Sequence, residues 1–223
     1  MTEDQVSTGL LTYVVFLFST TCHEASHAYV AKRGGDPTAA QGGQVSLNPL
    51  PHVRREPFGM VVLPLLSLLT SGQMIGWASA PYNPYWQQQY PRRAAWMALA
   101  GPAANFVLVA IAGALLRLGI MTGTFHASGW MHGVGEILSV CFTLNLLLGI
   151  FNLLPVPPLD GFNALGLLLP SNSGIRVEQI RMKLRQFSLI GLLIGWQAIN
   201  FIYPPVLSFA SSLVTAGLRL APR

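Results

Sequence analysis

From Ala94 to Leu116 the chain runs 23 residues without a charge, and that stretch restricts its fold more than any other feature. As a helix it extends roughly 35 Å at about 1.5 Å per residue. That is enough to cross a hydrocarbon core roughly 30 Å thick. A soluble domain could bury one such helix only beneath a charged surface. Charged residues make up 9% of the 223 residues, against about 25% in soluble domains. Apolar types reach 52% and the mean hydropathy is +0.48. These values exclude a soluble globular fold and predict an all-α polytopic membrane protein embedded in a lipid bilayer.

Further spans are expected at Leu10–Ala31, at Val134–Leu154 and from Phe187 to the Pro204-Pro205 pair. The proline-broken PVPPLDG run carries the third core element on to about residue 160. Beyond Pro205 the apolar run resumes to Leu218, as a bent continuation, a surface helix or another span. The expected fold is a bundle of about four to six transmembrane helices. Phe58–Trp77 is long enough to cross, but Gly59, Pro64, Gly72 and Gly76 make it a poor straight helix. Lys32, Arg33, Arg54 and Arg55 precede it, and Arg92 and Arg93 follow it. If positive flanks face the cytoplasm, both of its ends lie on one side. Residues 58–77 are therefore expected to form a small re-entrant, interfacial or β-hairpin element shielded by protein. The same rule puts the N-terminus outside, and the loop Ser171–Gln186, with Arg176, Arg181, Lys183 and Arg185, inside.

There is no tandem repeat, and the connections are too short for an appended globular module. Residues 1–223 read as one domain, with the C-terminal helix or helices over 187–218. The net charge of +5 comes from basic residues that flank apolar segments, which speaks against a nucleic-acid partner. Cys22 and Cys141 both lie in apolar stretches, so no disulfide framework is expected. The acidic start MTEDQVSTG, and the His and Glu inside the first apolar run, argue against a cleaved signal peptide.

That first run contains His23-Glu24-Ala25-Ser26-His27. Residues four apart share a helix face, so His23 and His27 can offer both imidazoles to one metal ion. Glu24 stands beside them, able to reach a metal-bound water without being a ligand. This is the H-E-x-x-H arrangement of zinc proteases. Two His and a Glu are costly inside a bilayer, where ionisable side chains mark function. Zinc with an open position usually takes three protein ligands plus water. Glu136 and Asp160 are the carboxylates that can complete the set. Asp160 is favoured, because the prolines before it unwind the backbone and leave its carboxylate free to turn towards a neighbouring helix. The alternative role for Asp160 is a helix N-cap.

Three motifs in order, over residues 20–165, resemble the site-2 protease family of intramembrane zinc metalloproteases. They are His-Glu-x-x-His in the first span, Gly101-Pro102-Ala103-Ala104-Asn105 in the second, and Leu159-Asp160-Gly161 after the proline break. Gly43–Pro49 is also similar to the strand-forming stretch of compact bacterial members. The resemblance implies one Zn²⁺ held by His23, His27 and Asp160, with Glu24 as catalytic base. Asn105 would position substrate or the oxyanion. It further implies hydrolysis of peptide bonds in transmembrane protein substrates, by a multi-pass protein of a prokaryotic plasma membrane. Neither the PDZ nor the CBS domain of larger relatives is recognisable here. A homo-oligomer is compatible with these features. The rival reading is a non-hydrolytic membrane protein, in which zinc is structural or transported.

Weaker signals concern other polar residues. Ser26 is expected to bond a backbone carbonyl. Asn145 and Asn152, seven apart, share a face of the third span, where they join helices or line the site. His52, His126 and His132 are read as loop residues. Trp77, Tyr82, Tyr85, Trp86 and Tyr90 read as an interfacial aromatic belt. An exposed strand edge near Gly43–Leu47 would pair with an extended substrate.

Overall fold

A computed structural model of the chain describes residues 3–72, 74–126, 129–168, 179–180, 183–184 and 186–217. Four of its helices are long and apolar enough to cross a membrane, and the chain is a multi-pass membrane protein. These are α1 (Glu3–Gly34), α6 (Pro91–Met121), α7 (Trp130–Asn152) and α9 (Ser188–Thr215). Shorter helices lie between them: α2 (Thr38–Gln41), α3 (Pro49–Arg55), α4 (Leu63–Ser71, entered through a π-helical turn, Phe58–Val62), α5 (Pro84–Gln89) and α8 (Asp160–Ala164). Arg176, Arg181 and Arg185, part of the predicted inner loop, lie outside the described residues, as does Leu218.

The long uncharged helix α6 is the centre of the bundle. It packs along α1 on one side and α7 on the other, and α1 also touches α7. α9 packs more loosely, against α6 and α7. Pro102 stands inside α6 without ending it. Pro204 and Pro205 likewise fall within one helical run, α9, which neither ends nor restarts there. Their fixed φ is helical, and each removes one donor from the ladder.

Two expectations are corrected. Among the described residues there is no β-strand. Residues 43–48 form a turn and bends, not an edge that could pair with a peptide. The Asn48 side chain accepts from Leu50 N and Pro49 opens α3, while the Ser46 carbonyl accepts from the His52 ring at 3.0 Å. Those local bonds take the backbone out of a strand. The segment 58–77 is no β-hairpin either. It enters as a helix, turns at Gly72 with φ +69°, and returns over residues 74–77 without regular secondary structure. Ile75 N donates to Ser67 Oγ at 3.0 Å, and Trp77 N donates to the Gly59 carbonyl at 3.0 Å.

The inner aromatics also differ from a belt. Trp86 is buried among Ala31, Ala94 and Met97, with Tyr82 and Tyr90 packed against that cluster. Its Nε1–H donates to the Gly34 carbonyl at 3.0 Å, closing the end of α1. His52 is not in a loop but buried on α3. His132 is on α7, exposed beside Glu136.

Candidate metal centre

α1 carries His23 and His27 one helical turn apart, and their Nε2 atoms come within 2.9 Å of each other. The third group arrives from a distant part of the chain. α7 ends at Asn152, and the proline-rich stretch after it leads to Asp160, the first residue of α8. Asp160 Oδ2 lies 3.1 Å from His23 Nε2 and 3.3 Å from His27 Nε2. His23, His27 and Asp160 form the one cluster among the described residues whose ligand atoms could hold a metal ion, all within 4.8 Å of one another. Glu136 pairs instead with His132 at 3.5 Å, at the start of α7, and is not part of it.

The other ring nitrogens fix the chemistry. His23 Nδ1 lies 2.6 Å from Asn105 Oδ1, and His27 Nδ1 lies 2.7 Å from the Met97 carbonyl oxygen. Both partners can only accept, so each Nδ1 carries the proton and donates it. The orientation of the Asn105 amide is itself determined by its neighbours. Asn145 Nδ2 donates to the Cys141 carbonyl at 2.8 Å and to Ser19 Oγ at 2.9 Å. Its oxygen therefore accepts from Asn105 Nδ2, at 2.8 Å, and Asn105 Oδ1 is left facing His23.

Each imidazole thus turns its Nε2 edge towards Asp160 Oδ2, and the three atoms stand close enough to share one cation. A His₂Asp donor set suits zinc. Asp160 together with Glu24 supplies two negative charges, which balance a dication where the dielectric is low.

α6 forms the wall of this site. Met97, Gly101 and Asn105 are spaced by four, so they form one stripe on α6. The first and third hold the two imidazoles. Between them, a Cβ on Gly101 would lie 2.3 Å from His27 Nε2 and 2.4 Å from His23 Nε2. Only glycine lets this helix approach the two nitrogens so closely. The volume its side chain would fill is the volume in front of the metal-binding atoms.

Glu24 is buried, and it makes no hydrogen bond or ion pair among the described residues. A groove of ≈ 540 Å³ opens between α1, residues 45–47 and α6, lined by Ala25, Ser26, Tyr29, Leu47, Ala100 and Ala103; Glu24 itself does not line it. Ser26 donates to the Cys22 carbonyl at 2.8 Å. Asn145 joins three helices, whereas Asn152 bonds only the Leu148 carbonyl of its own helix, at 3.0 Å.

Sequence reasoning brought His23, Glu24, His27, Asp160 and Asn105 to one neighbourhood. It did not find Met97, whose role lies in its backbone oxygen, or Ser19 at the far end of the amide chain. The four-residue spacing of Met97, Gly101 and Asn105 was the available signal. From the Asn105 bond comes a first prediction. Asn105→Leu removes the acceptor that holds the His23 ring and is expected to weaken zinc binding by roughly 10–100-fold. Chelator competition on purified protein measures it. Asn105→Gln can supply a carbonyl oxygen again and should recover part of the loss.

These features define a class: a multi-pass membrane protein in which two buried His of the first span meet a partly buried Asp from a later turn, placed to hold one metal ion. Residues 116–194 match the model of Peptidase family M50. The chain is 34% identical over 203 residues to the proposed zinc metalloprotease YwhC of Bacillus subtilis, covering 90% of this chain and 88% of YwhC. It is also similar to the proposed zinc metalloprotease Rip2 of Mycolicibacterium smegmatis, 32% identical over 163 residues, with 72% of this chain and 58% of Rip2 covered. For Rip2 of Mycobacterium tuberculosis the values are 33% over 181 residues, 80% and 63%. The chain thus spans less than two thirds of these Rip2 proteins. No solved structure matches it. The chain belongs to peptidase family M50, the site-2 protease family.

Proposed function

We propose that this chain is an intramembrane zinc endopeptidase that hydrolyses peptide bonds within or near transmembrane segments of its protein substrates. The observation that carries the reading is the convergence of His23 Nε2, His27 Nε2 and the Asp160 carboxylate, with both Nδ1 atoms engaged elsewhere and a buried Glu24 on the same helix. His23, His27 and Asp160 would hold the ion. When bound, zinc supplies Lewis-acid polarisation of a peptide carbonyl and a water whose pKa falls to about 7.

The protein's own groups do the rest. The Glu24 carboxylate accepts a proton from the attacking water and later gives it to the amine that leaves. A carboxylate already engaged in an ion pair would be a poor base, and Glu24 makes none among the described residues. Asn105 and the Met97 carbonyl keep both imidazoles in the tautomer that presents Nε2. The groove along Ala25, Ser26, Ala100 and Ala103 gives an unwound substrate segment a path from the lipid side to Glu24. A hydrogen-bonded helix conceals its carbonyls, so substrate enters this groove extended.

A direct test uses purified protein in proteoliposomes with a labelled transmembrane peptide. Cleavage should cease on treatment with a zinc chelator and return on adding about one equivalent of zinc per chain. Cleavage that survives metal removal would overturn the reading. Zinc crossing the bilayer with no cleavage would favour a transporter instead.

A further inference from the structure

Asp160 is the one ligand not carried by a long helix, and its place depends on what holds the loop before it. The buried residues of α9 are Gly191, Gly195 and Ile199, spaced by four and so on one face. That face receives the segment leading to Asp160. A Cβ on Gly195 would lie 3.3 Å from Phe151 Cε2 and 3.4 Å from Leu159 Cδ1, which is tight but open to adjustment. At Gly191 it would lie 1.8 Å from the Pro157 carbonyl oxygen, in rigid backbone. A contact that short does not occur in a packed interior, so helix and loop would have to part by on the order of 1 Å.

α9 is anchored in its second half. Arg117 Nη1, on α6, donates to the carbonyls of Leu213 at 3.2 Å and Val214 at 3.0 Å. These bonds grip the C-terminal turn of α9, where a positive charge is favourable. The Tyr203 hydroxyl donates to the Thr143 carbonyl of α7 at 2.9 Å. With α9 tied to both neighbours, the loop is the part that yields.

We infer that Gly191 is a positioning residue for the metal centre, letting α9 press on Pro157 and so hold Asp160 within reach of His23 and His27. This rests on the reading of Asp160 as a zinc ligand under Proposed function. α9 touches no ligand itself, yet its seating sets the third coordination distance. A displacement of α9 would therefore be felt at the ion three residues beyond Pro157.

The test measures zinc affinity of the purified full chain by chelator competition. Gly191→Ala should weaken binding by roughly 10–100-fold, the size of effect that orienting partners of ligands have. Gly133→Ala, where a Cβ meets nothing within 4 Å, should leave binding unchanged. Asp160→Glu adds one C–C bond of about 1.5 Å and should weaken binding alone, by crowding an undisturbed site. Combined with Gly191→Ala, the longer side chain reaches back across the displaced loop. The double variant should then bind at least tenfold more tightly than Gly191→Ala. Such coupling is diagnostic, because a merely destabilised fold would be worsened by a second change. Wild-type affinity in Gly191→Ala, or a loss that Asp160→Glu does not relieve, would overturn the inference. If Asp160→Ala retains full zinc affinity, the ligand assignment falls first; if Asp160→Ala loses zinc and Gly191→Ala does not, only the positioning role fails.

Discussion

Glu24→Gln is expected to reduce peptide hydrolysis by roughly 10²–10⁴-fold, the contribution of a positioned general acid–base group, while zinc stays near one per chain. The substitution keeps the side chain's size and removes its ability to take a proton. Glu24 is not among the three clustered ligand residues, so nothing holding the ion is lost. It is buried and forms no ion pair or hydrogen bond among the described residues. A neutral amide therefore breaks no hydrogen bond there and removes only a through-space attraction to His27, so the change in stability should be small. Cleavage of a transmembrane peptide in proteoliposomes, with elemental analysis of the same sample, separates the outcomes. Lost zinc would mean that Glu24 is a ligand. Retained cleavage would mean that the base is elsewhere. The intended result also isolates catalysis from metal retention, which a structural zinc site has no reason to do.

What could be read in the sequence divides along physical lines. The spans were legible because an uncharged run of this length has few ways to be satisfied other than lipid. His23 and His27 were legible because helix periodicity alone brings them together. Asp160 was favoured over Glu136 on the proline break, and the resemblance implied the same residue; no local rule alone says which helix a loop carboxylate will meet. Gly43–Pro49 misled for the opposite reason. A strand requires a partner at ladder distance, and here Asn48, Pro49 and His52 settle the backbone locally into bends and a short helix. Pro204-Pro205 left three readings open. A proline pair weakens a helix without saying whether its neighbours will hold it, and Tyr203 and Arg117 are those restraints. Trp86 was read as interfacial because aromatic residues near basic ones commonly are. Its burial depends on the end of α1 folding over it, which no pattern in residues 77–90 encodes.

Gly101 is the position where the largest effect should come from the smallest change. Gly101→Ala adds one methyl group on the fully helical α6, where alanine is the better helix former by about 1 kcal/mol. By propensity alone the variant should be the more stable protein. The methyl would stand 2.3 Å and 2.4 Å from the two Nε2 atoms, in the space that a bound ion and its water require. Neither imidazole can simply turn aside, because Asn105 and the Met97 carbonyl hold their Nδ1 atoms at 2.6 Å and 2.7 Å. Zinc is therefore expected to fall below roughly a tenth of an equivalent per chain, a weakening beyond the 10–100-fold seen when ligand partners are removed. Hydrolysis should vanish with it. The methyl also crowds the two imidazoles in the metal-free protein, so its thermal midpoint should fall modestly, overpacking costing about 1–3 kcal/mol against the roughly 1 kcal/mol gained in helix propensity. A cooperative thermal transition with wild-type helical circular dichroism distinguishes the steric account from misfolding, which would abolish both. Ala103→Ser, two residues along the same helix on the groove side, likewise adds a single heavy atom and should keep its zinc. A Gly101→Ala protein that binds zinc normally would show that α6 can back away from α1, and that the wall of the site is softer than the tight stripe of Met97, Gly101 and Asn105 requires.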